Sequence, residues 1–105
     1  MQKIFEFQKL CINTSQKTVK FNDKVVKLGP KEFKILLLLI ERPGQVFSRS
    51  QILDKVWGHG NFVGERTVDV HIARLKKTLA EASTNSVVKN LLRTVRGEGY
   101  SLNKD

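Results

Sequence analysis

The sequence predicts an α+β domain, and the order of its local patterns indicates this class. Residues 1–28 consist of short segments rich in β-branched and aromatic residues, which are typical of strands. Residues 30–80 then carry three helical patterns, and residues 91–103 have the strand–turn–strand pattern of a β-hairpin. Because 105 residues suffice for one core but not for two, we expect a single domain over residues 1–105.

Strands are expected in three N-terminal stretches, "IFEFQKLCIN", "KTVKF" and "KVVKL". The polar segments "NTSQ" and "ND" between them are typical of turns. Together these stretches predict a small antiparallel sheet with one face covered.

Two helices follow the sheet. The first is predicted to begin at Pro30, because a Gly-Pro pair suits the N-cap and first helical positions, and to end before Pro43. It is apolar on nearly all sides, which indicates a buried central helix. Ser48 and Gln51 form a capping-box pattern for the second helix, which should run to about Trp57.

A third helix is expected from Glu65 to about Ala80. Its apolar stripe, at spacings of four, three and four residues, consists of Val68, Ile72, Leu75 and Leu79. The opposite face mixes basic residues with small and apolar ones, namely Arg66, Val70, Ala73, Arg74 and Lys77, with Thr67 at its edge.

The segment after this helix, residues 81–90, is polar and expected to be irregular at first. Gly97 and Gly99 are expected to be turn residues of the hairpin.

Three helices followed by a hairpin, with the loop "GHGNFVG" joining the second and third, predict a winged helix-turn-helix. In such folds the second helix of the pair enters the major groove, where Val70 could contact a thymine methyl and Arg74 a guanine. A single exposed valine is common on protein surfaces. The position of Val70 beside Arg66, Arg74 and Lys77, however, favours the interpretation that it contacts the groove. The net charge of +9 and the pI near 10.0 also suit a polyanionic partner.

Other function classes fit less well. Cys11, the single cysteine, has no recognisable histidine partner, and His59 and His71 show no metal-ligand pattern, so we expect no catalytic residues, cofactor or metal. No signal peptide or membrane-length apolar run is visible, and the cysteine content suits the cytoplasm. The phenylalanines lie where a core needs them rather than on an RNA-binding sheet. A winged-helix module for protein interaction, with only non-specific nucleic-acid affinity, remains the alternative.

Two stretches, "RTVDVHIARLKKTL" and "LLRTVRGEGYSL", together resemble the winged-helix effector domain of the OmpR/PhoB family of response regulators. The resemblance covers nearly the whole chain and includes "LGPKEFKILLLLIERPGQVFSRSQILDKVWG". It implies a four-stranded N-terminal sheet, three helices and a C-terminal hairpin wing. It also implies sequence-specific binding of double-stranded DNA for transcription regulation in a two-component phosphorelay. No receiver domain is recognisable here, so an excised and a naturally stand-alone domain both remain open.

The resemblance implies roles for individual residues of the third, recognition helix. DNA-facing or phosphate-facing positions there are Arg66, Thr67, Val70, Arg74 and Lys76, and Lys77 shares their face. Ala73 departs from the arginine common in relatives, so contacts from that position are lost. His71 is open to two interpretations, a phosphate or base contact and a partly buried structural histidine.

Further contacts are implied outside that helix. Arg96 matches a wing arginine that enters the adjacent minor groove, and Thr94 and Tyr100 match positions near backbone phosphates. Trp57 matches a phosphate contact made through the indole N–H. A core role for Trp57, holding the second helix, is equally compatible with the sequence.

The loop before the recognition helix has a second role in the family, which is contact with RNA polymerase. The residues available for it are His59, Asn61, Phe62 and Val63, although an inward-facing Phe62 is also compatible. The family binds direct-repeat half-sites about 10 base pairs apart, and a receiver domain controlled by a sensor kinase supplies most dimerisation. We therefore expect the isolated domain to be a monomer that pairs on DNA.

Overall fold

The computed structural model describes residues 3–60 and 63–103, and its elements confirm the α+β class. The strands of the N-terminal sheet are β1 (Ile4–Phe7), β2 (Leu10–Asn13), β3 (Thr18–Phe21) and β4 (Lys24–Val26). They form a four-stranded antiparallel sheet in the order β1-β2-β3-β4, as expected. The later elements are α1 (Pro30–Glu41), α2 (Arg49–Ile52), α3 (Arg66–Glu81), α4 (Asn85–Leu91), β5 (Leu92–Val95) and β6 (Gly99–Leu102).

The turn between β3 and β4 connects the sheet to the helices. Asn22 and Asp23 both have positive φ, 55° and 63°, as a two-residue type I′ turn requires. The side-chain amide of Asn22 donates to the carbonyl oxygen of Ala82 at 3.2 Å. The predicted "ND" turn is confirmed, and it fixes the sheet against the C-terminal end of α3.

α1 is the central helix that the sequence predicts. It begins at Pro30 after the N-cap Gly29 and ends at Glu41. One hydrophobic core joins every layer, and its fully buried members include Ile12, Ile35, Leu36, Ile52, Leu75 and Leu102. The burial of these side chains fixes the position of α3 relative to the sheet and the hairpin.

α2 begins with the predicted capping box. The Ser48 hydroxyl accepts from the Gln51 amide at 3.1 Å, and the Gln51 side chain accepts from the Ser48 amide at 2.9 Å. Beyond Ile52 the helix continues as one π-helical turn over Leu53–Trp57. The second helix therefore ends at Trp57, as expected, but its last turn is wider than an α-helix.

Residues 85–91 form a fourth helix, so the prediction of an irregular segment was wrong. The Thr84 side chain caps α4 by accepting from the Val87 amide at 3.2 Å. Val88 and Leu91, three residues apart, are both buried. Tertiary burial of these two side chains outweighs the low helix propensity of the asparagine and serine residues around them.

The hairpin pairs with the segment between α1 and α2 as well as with itself. Phe47 and Tyr100 exchange two backbone hydrogen bonds of 2.9 Å each, and the Gly44 amide donates to the Leu102 carbonyl at 2.8 Å. Gly97, with φ 75°, lies in the turn closed by the Glu98 amide and the Val95 carbonyl. That turn glycine is confirmed, and Glu98 is exposed as expected.

Gly99 was expected to be a turn residue, but it has a different role. It is buried in β6 at φ 147°, and a Cβ atom there would collide with the carbonyl oxygen of Phe47. Glycine is required because the two backbones approach so closely.

Candidate nucleic-acid interface

α3 has a buried face and an exposed basic face. The four residues of the predicted apolar stripe are all buried. The opposite face is exposed and consists of Arg66, Val70, Ala73, Arg74 and Lys77, with Thr67 half-buried at its edge. Val70 keeps 45% of its surface accessible within this basic group.

One flank of α3 contacts the hairpin through two polar side chains. Lys76 Nζ donates to the hydroxyl oxygen of Thr94 on β5 at 3.0 Å. Burial lowers the pKa of Lys76, and the charge of Lys89 lowers it further. Seven residues earlier on α3, Asp69 accepts from the Tyr100 hydroxyl and from Arg49 Nε, both at 2.6 Å. Lys76 and Asp69 thus connect the recognition helix to both strands of the hairpin.

The Arg49–Asp69–Tyr100 contacts determine the protonation of these groups. Burial alone would raise the pKa of Asp69, but hydrogen bonds from Tyr100 and Arg49 hold it below its ordinary value. Burial, followed by the hydrogen bond to Asp69, raises the pKa of the Tyr100 hydroxyl. The hydrogen bond to Asp69 raises the pKa of Arg49. Asp69 is therefore the ionised acceptor, and Tyr100 is the neutral donor.

This arrangement gives Tyr100 a contact that the sequence did not predict. Its side chain is buried, with 5% of the residue exposed, and its hydroxyl proton is donated to Asp69. Tyr100 thereby positions the hairpin against α3, and its contact with a phosphate stays a prediction. Arg49 was not among the predicted residues, since nothing in its local sequence indicates a partner 20 residues away.

The other flank of α3 packs against Trp57. The His71 ring meets the indole edge-on, with centroids 5.1 Å apart, and its Nδ1 lies 2.8 Å from the Thr67 carbonyl oxygen. A carbonyl oxygen can only accept, so Nδ1 donates this bond and is not available to a phosphate. Lys31 Nζ lies 5.3 Å from the centre of the indole. Trp57 is half-buried against the core, which supports its structural role.

The hairpin tip and the loop before α3 complete the surface. Arg96 is exposed at the tip, and Arg93 is exposed on β5. In the loop, His59 and Val63 are exposed, whereas Asn61 and Phe62 lie outside the described residues. Within residues 3–60 and 63–103, no group of three potential metal-ligating side chains comes together, and no helix is long and apolar enough to cross a membrane.

These features define the class of the protein. A helix-turn-helix with a basic second helix, joined to a hairpin with an exposed arginine at its tip, is a winged-helix nucleic-acid-binding domain. The family model described as "Transcriptional regulatory protein, C terminal" matches residues 23–102. The chain belongs to this family, that of the C-terminal DNA-binding domains of OmpR/PhoB-type response regulators.

The relatives at sequence level are longer proteins. The chain is 57% identical over 77 residues to the phosphate regulon regulatory protein PhoB of Rhizobium meliloti, which covers 73% of this chain and 32% of that protein. It is 43% identical over 105 residues to the uncharacterized transcriptional regulatory protein YclJ of Bacillus subtilis, covering 99% of this chain and 44% of that one. The chain thus spans less than half the length of these relatives.

Solved structures of similar domains include complexes with DNA. The Klebsiella pneumoniae RstA DNA-binding domain, in complex with the RstA box, superimposes with a TM-score of 0.84 at 29% identity, over 98% of this chain and 99% of that one. The AdeR DNA-binding domain, in complex with an intercistronic region, gives a TM-score of 0.81 at 29% identity, over 95% of this chain and 99% of that one.

Proposed function

We propose that this domain binds double-stranded DNA sequence-specifically and thereby regulates transcription, with α3 in the major groove and the hairpin tip in the adjacent minor groove. The observation that carries the proposal is exposed Val70 among three exposed cations, opposite the buried stripe of α3. The major groove admits a helix and presents thymine methyl groups and guanine acceptors. The RstA and AdeR DNA-binding domains, which share this fold, are solved in complex with DNA, which supports DNA as the partner.

The residues divide into three groups by the part of the duplex that they would contact. We assign base contacts to Val70 and Arg74, with Thr67 at the edge of their surface. Phosphate contacts, which supply affinity and position, are assigned to Arg66, Lys77 and the bonded pair of Lys76 and Thr94. Exposed Arg96 suits a narrow minor groove, where negative potential is concentrated.

The proposal also concerns the full-length protein. The relatives are two to three times as long as this chain. We propose that a receiver domain, controlled by a sensor kinase in the cytoplasm, brings two copies together on direct-repeat half-sites. One small domain offers limited contact area, so a single copy should bind weakly.

The first test is selection from a pool of random duplexes at near-physiological salt, followed by sequencing of the bound fraction. An enriched motif, repeated about one helical turn apart, supports the proposal. The matched control is the Arg74→Ala/Arg96→Ala double variant, checked for an unchanged thermal transition, which should lose the enrichment. If the domain binds but enriches no sequence, and if this binding disappears as salt rises, the proposal is contradicted and a protein-interaction module is favoured.

A second role rests on the loop before α3. His59 and Val63 are both exposed there, and we propose that this loop contacts RNA polymerase. The test is transcription in a purified system with the His59→Ala/Val63→Ser variant. Transcription should fall while the Kd for DNA stays the same. A fall matched by weaker DNA binding would remove the support for this role.

A further inference from the structure

A groove lies beside α3 on the flank away from the hairpin, between α3 and the start of α1. We propose that this groove holds a backbone phosphate of the bound duplex and that Lys31 is its principal cation. The inference rests on the proposed function, which it extends to a residue of α1.

The helical periodicity of α3 shows on which flank of this helix the groove lies. Successive residues of a helix turn by about 100°, so Thr67, His71 and Thr78 lie on one flank, while Asp69 and Lys76 lie on the other. Asp69 and Lys76 bond to the hairpin, and His71 packs on Trp57, as this placement requires. The groove has a volume of about 700 Å³, and its polar lining includes Lys31, His71, Arg74, Lys77 and Thr78.

The Lys31 side chain is already held in place at the edge of the groove. Its ammonium group lies 5.3 Å from the centre of the Trp57 ring and 3.5 Å from the Val56 carbonyl oxygen, to which it donates. A lysine that is ordered before binding loses less rotamer entropy when it meets an anion. Lys31 is therefore better prepared for a phosphate than a free surface lysine.

Two carboxylates also line the groove, but they leave its cations available. Glu32 is buried, and its carboxylate lies beside Gly29 at the start of α1. Glu81 is the last residue of α3 and is exposed. Lys31, Arg74 and Lys77 remain as the three permanent cations of the groove.

The position of this groove suits contact with one of the two phosphate backbones of the duplex. A helix in the major groove, which is about 12 Å wide, has a phosphate backbone along each side. The hairpin flank of α3, with Lys76 and Thr94, meets the backbone next to the minor groove that Arg96 enters. The groove with Lys31 faces the backbone on the far side. Such a contact adds affinity and fixes register, but it reads no base.

The test uses Lys31→Gln, which keeps most of the side-chain stem, with Lys34→Gln as the matched control. Lys34 is one turn further along α1, is exposed, and borders a different groove, between α1 and the sheet. Kd is measured for the duplex enriched from the random pool and for a scrambled duplex of equal length and composition. Both variants lose one charge, so general electrostatic effects are equal in the two. Thermal unfolding shows that each variant is folded.

We expect Lys31→Gln to weaken binding to both duplexes by the same factor and to reduce the slope of log K against log salt by about 0.9. Its affinity deficit should then shrink roughly three- to fourfold between about 50 and about 200 mM salt. Lys31→Arg should restore the slope, and Lys34→Gln should leave it unchanged.

Two results would overturn the inference. One is a Lys31→Gln variant that behaves like Lys34→Gln, and the other is a loss confined to the enriched duplex. Failure of the proposed function has a different signature, because the wild type would then enrich no sequence. The scrambled duplex would still report whether Lys31 contacts a phosphate in that case.

Discussion

The hydroxyl of Tyr100 donates to the Asp69 carboxylate at 2.6 Å, joining the second hairpin strand to the recognition helix. Arg49 of α2 donates to the same carboxylate oxygen and stacks near the Tyr100 ring, 5.7 Å from its centre. One acidic side chain thereby connects both helices of the helix-turn-helix to the wing.

Tyr100→Phe tests this connection. The variant keeps the ring and removes the hydroxyl, and we expect it to lower the free energy of unfolding by about 1 kcal/mol, since Asp69 is partly exposed. Urea unfolding at neutral pH measures the change. DNA affinity should fall together with stability. A loss of DNA affinity without any loss of stability would instead identify Tyr100 as a phosphate contact.

The Asp69 carboxylate predicts a dependence of stability on pH. Its pKa is lower in the folded chain than its ordinary value, because bonds from Tyr100 and Arg49 outweigh burial. Folding therefore favours the ionised form. The stability that it contributes is present above about pH 4, the ordinary value, and is lost as pH falls through the lower folded value.

Asp69→Asn isolates that contribution. We expect the variant to be less stable than the wild type at pH 7, and we expect the difference between them to shrink as pH falls below about 4. Urea unfolding of both proteins across this range gives the measurement. A difference that is constant or grows with acid would show that the charge of Asp69 is not the stabilising feature.

Gly99→Ala should be among the most damaging single-methyl additions in the chain. The new methyl would meet the Phe47 carbonyl oxygen at a φ of 147°, which L-residues rarely adopt. We expect a loss of roughly 3 kcal/mol or more. Gly97→Ala is the matched control, since its Cβ meets nothing within 4 Å, and positive φ alone should cost about 1 kcal/mol. Thermal unfolding that ranks the two variants equally would contradict the close-approach explanation.

Arg74→Ala tests base reading. If Arg74 bonds a base edge, its loss should cost about 1–3 kcal/mol and relax preference at one or two base pairs. Affinities for the enriched duplex and for its single-pair variants give the measurement. Lys77→Ala, on the same face, should weaken all duplexes alike. An equally uniform loss for Arg74→Ala would make Arg74 a phosphate contact.

Local sequence patterns predicted most of the fold because they reflect interactions between residues that are close in the chain. The capping box at Ser48 and the stripe from Val68 to Leu79 depend on residues within a few positions of each other, and both are present. The segment of α4 was missed because its sequence is mostly polar, although Thr84 as N-cap with buried Val88 was a readable signal.

The site was less predictable for a physical reason. Exposure of the α3 face follows from helical periodicity, so Arg66, Val70 and Arg74 could be singled out. The bonds of Tyr100 and Arg49 to Asp69 join residues 31 and 20 positions apart, and no local pattern encodes them. The position of Lys31 over Trp57 likewise depends on how α1 packs against the end of the second helix.

The paired backbone bonds between Phe47 and Tyr100 have a consequence for how a duplex is chosen. They attach the wing to the segment that leads directly into α2, and Asp69 bonds both of these elements to α3. The distance between α3 and the hairpin, which would enter neighbouring grooves, is therefore fixed by the protein. A duplex with a different groove spacing must itself bend or twist to fit. Sequences that deform easily would then be preferred at base pairs that no side chain touches.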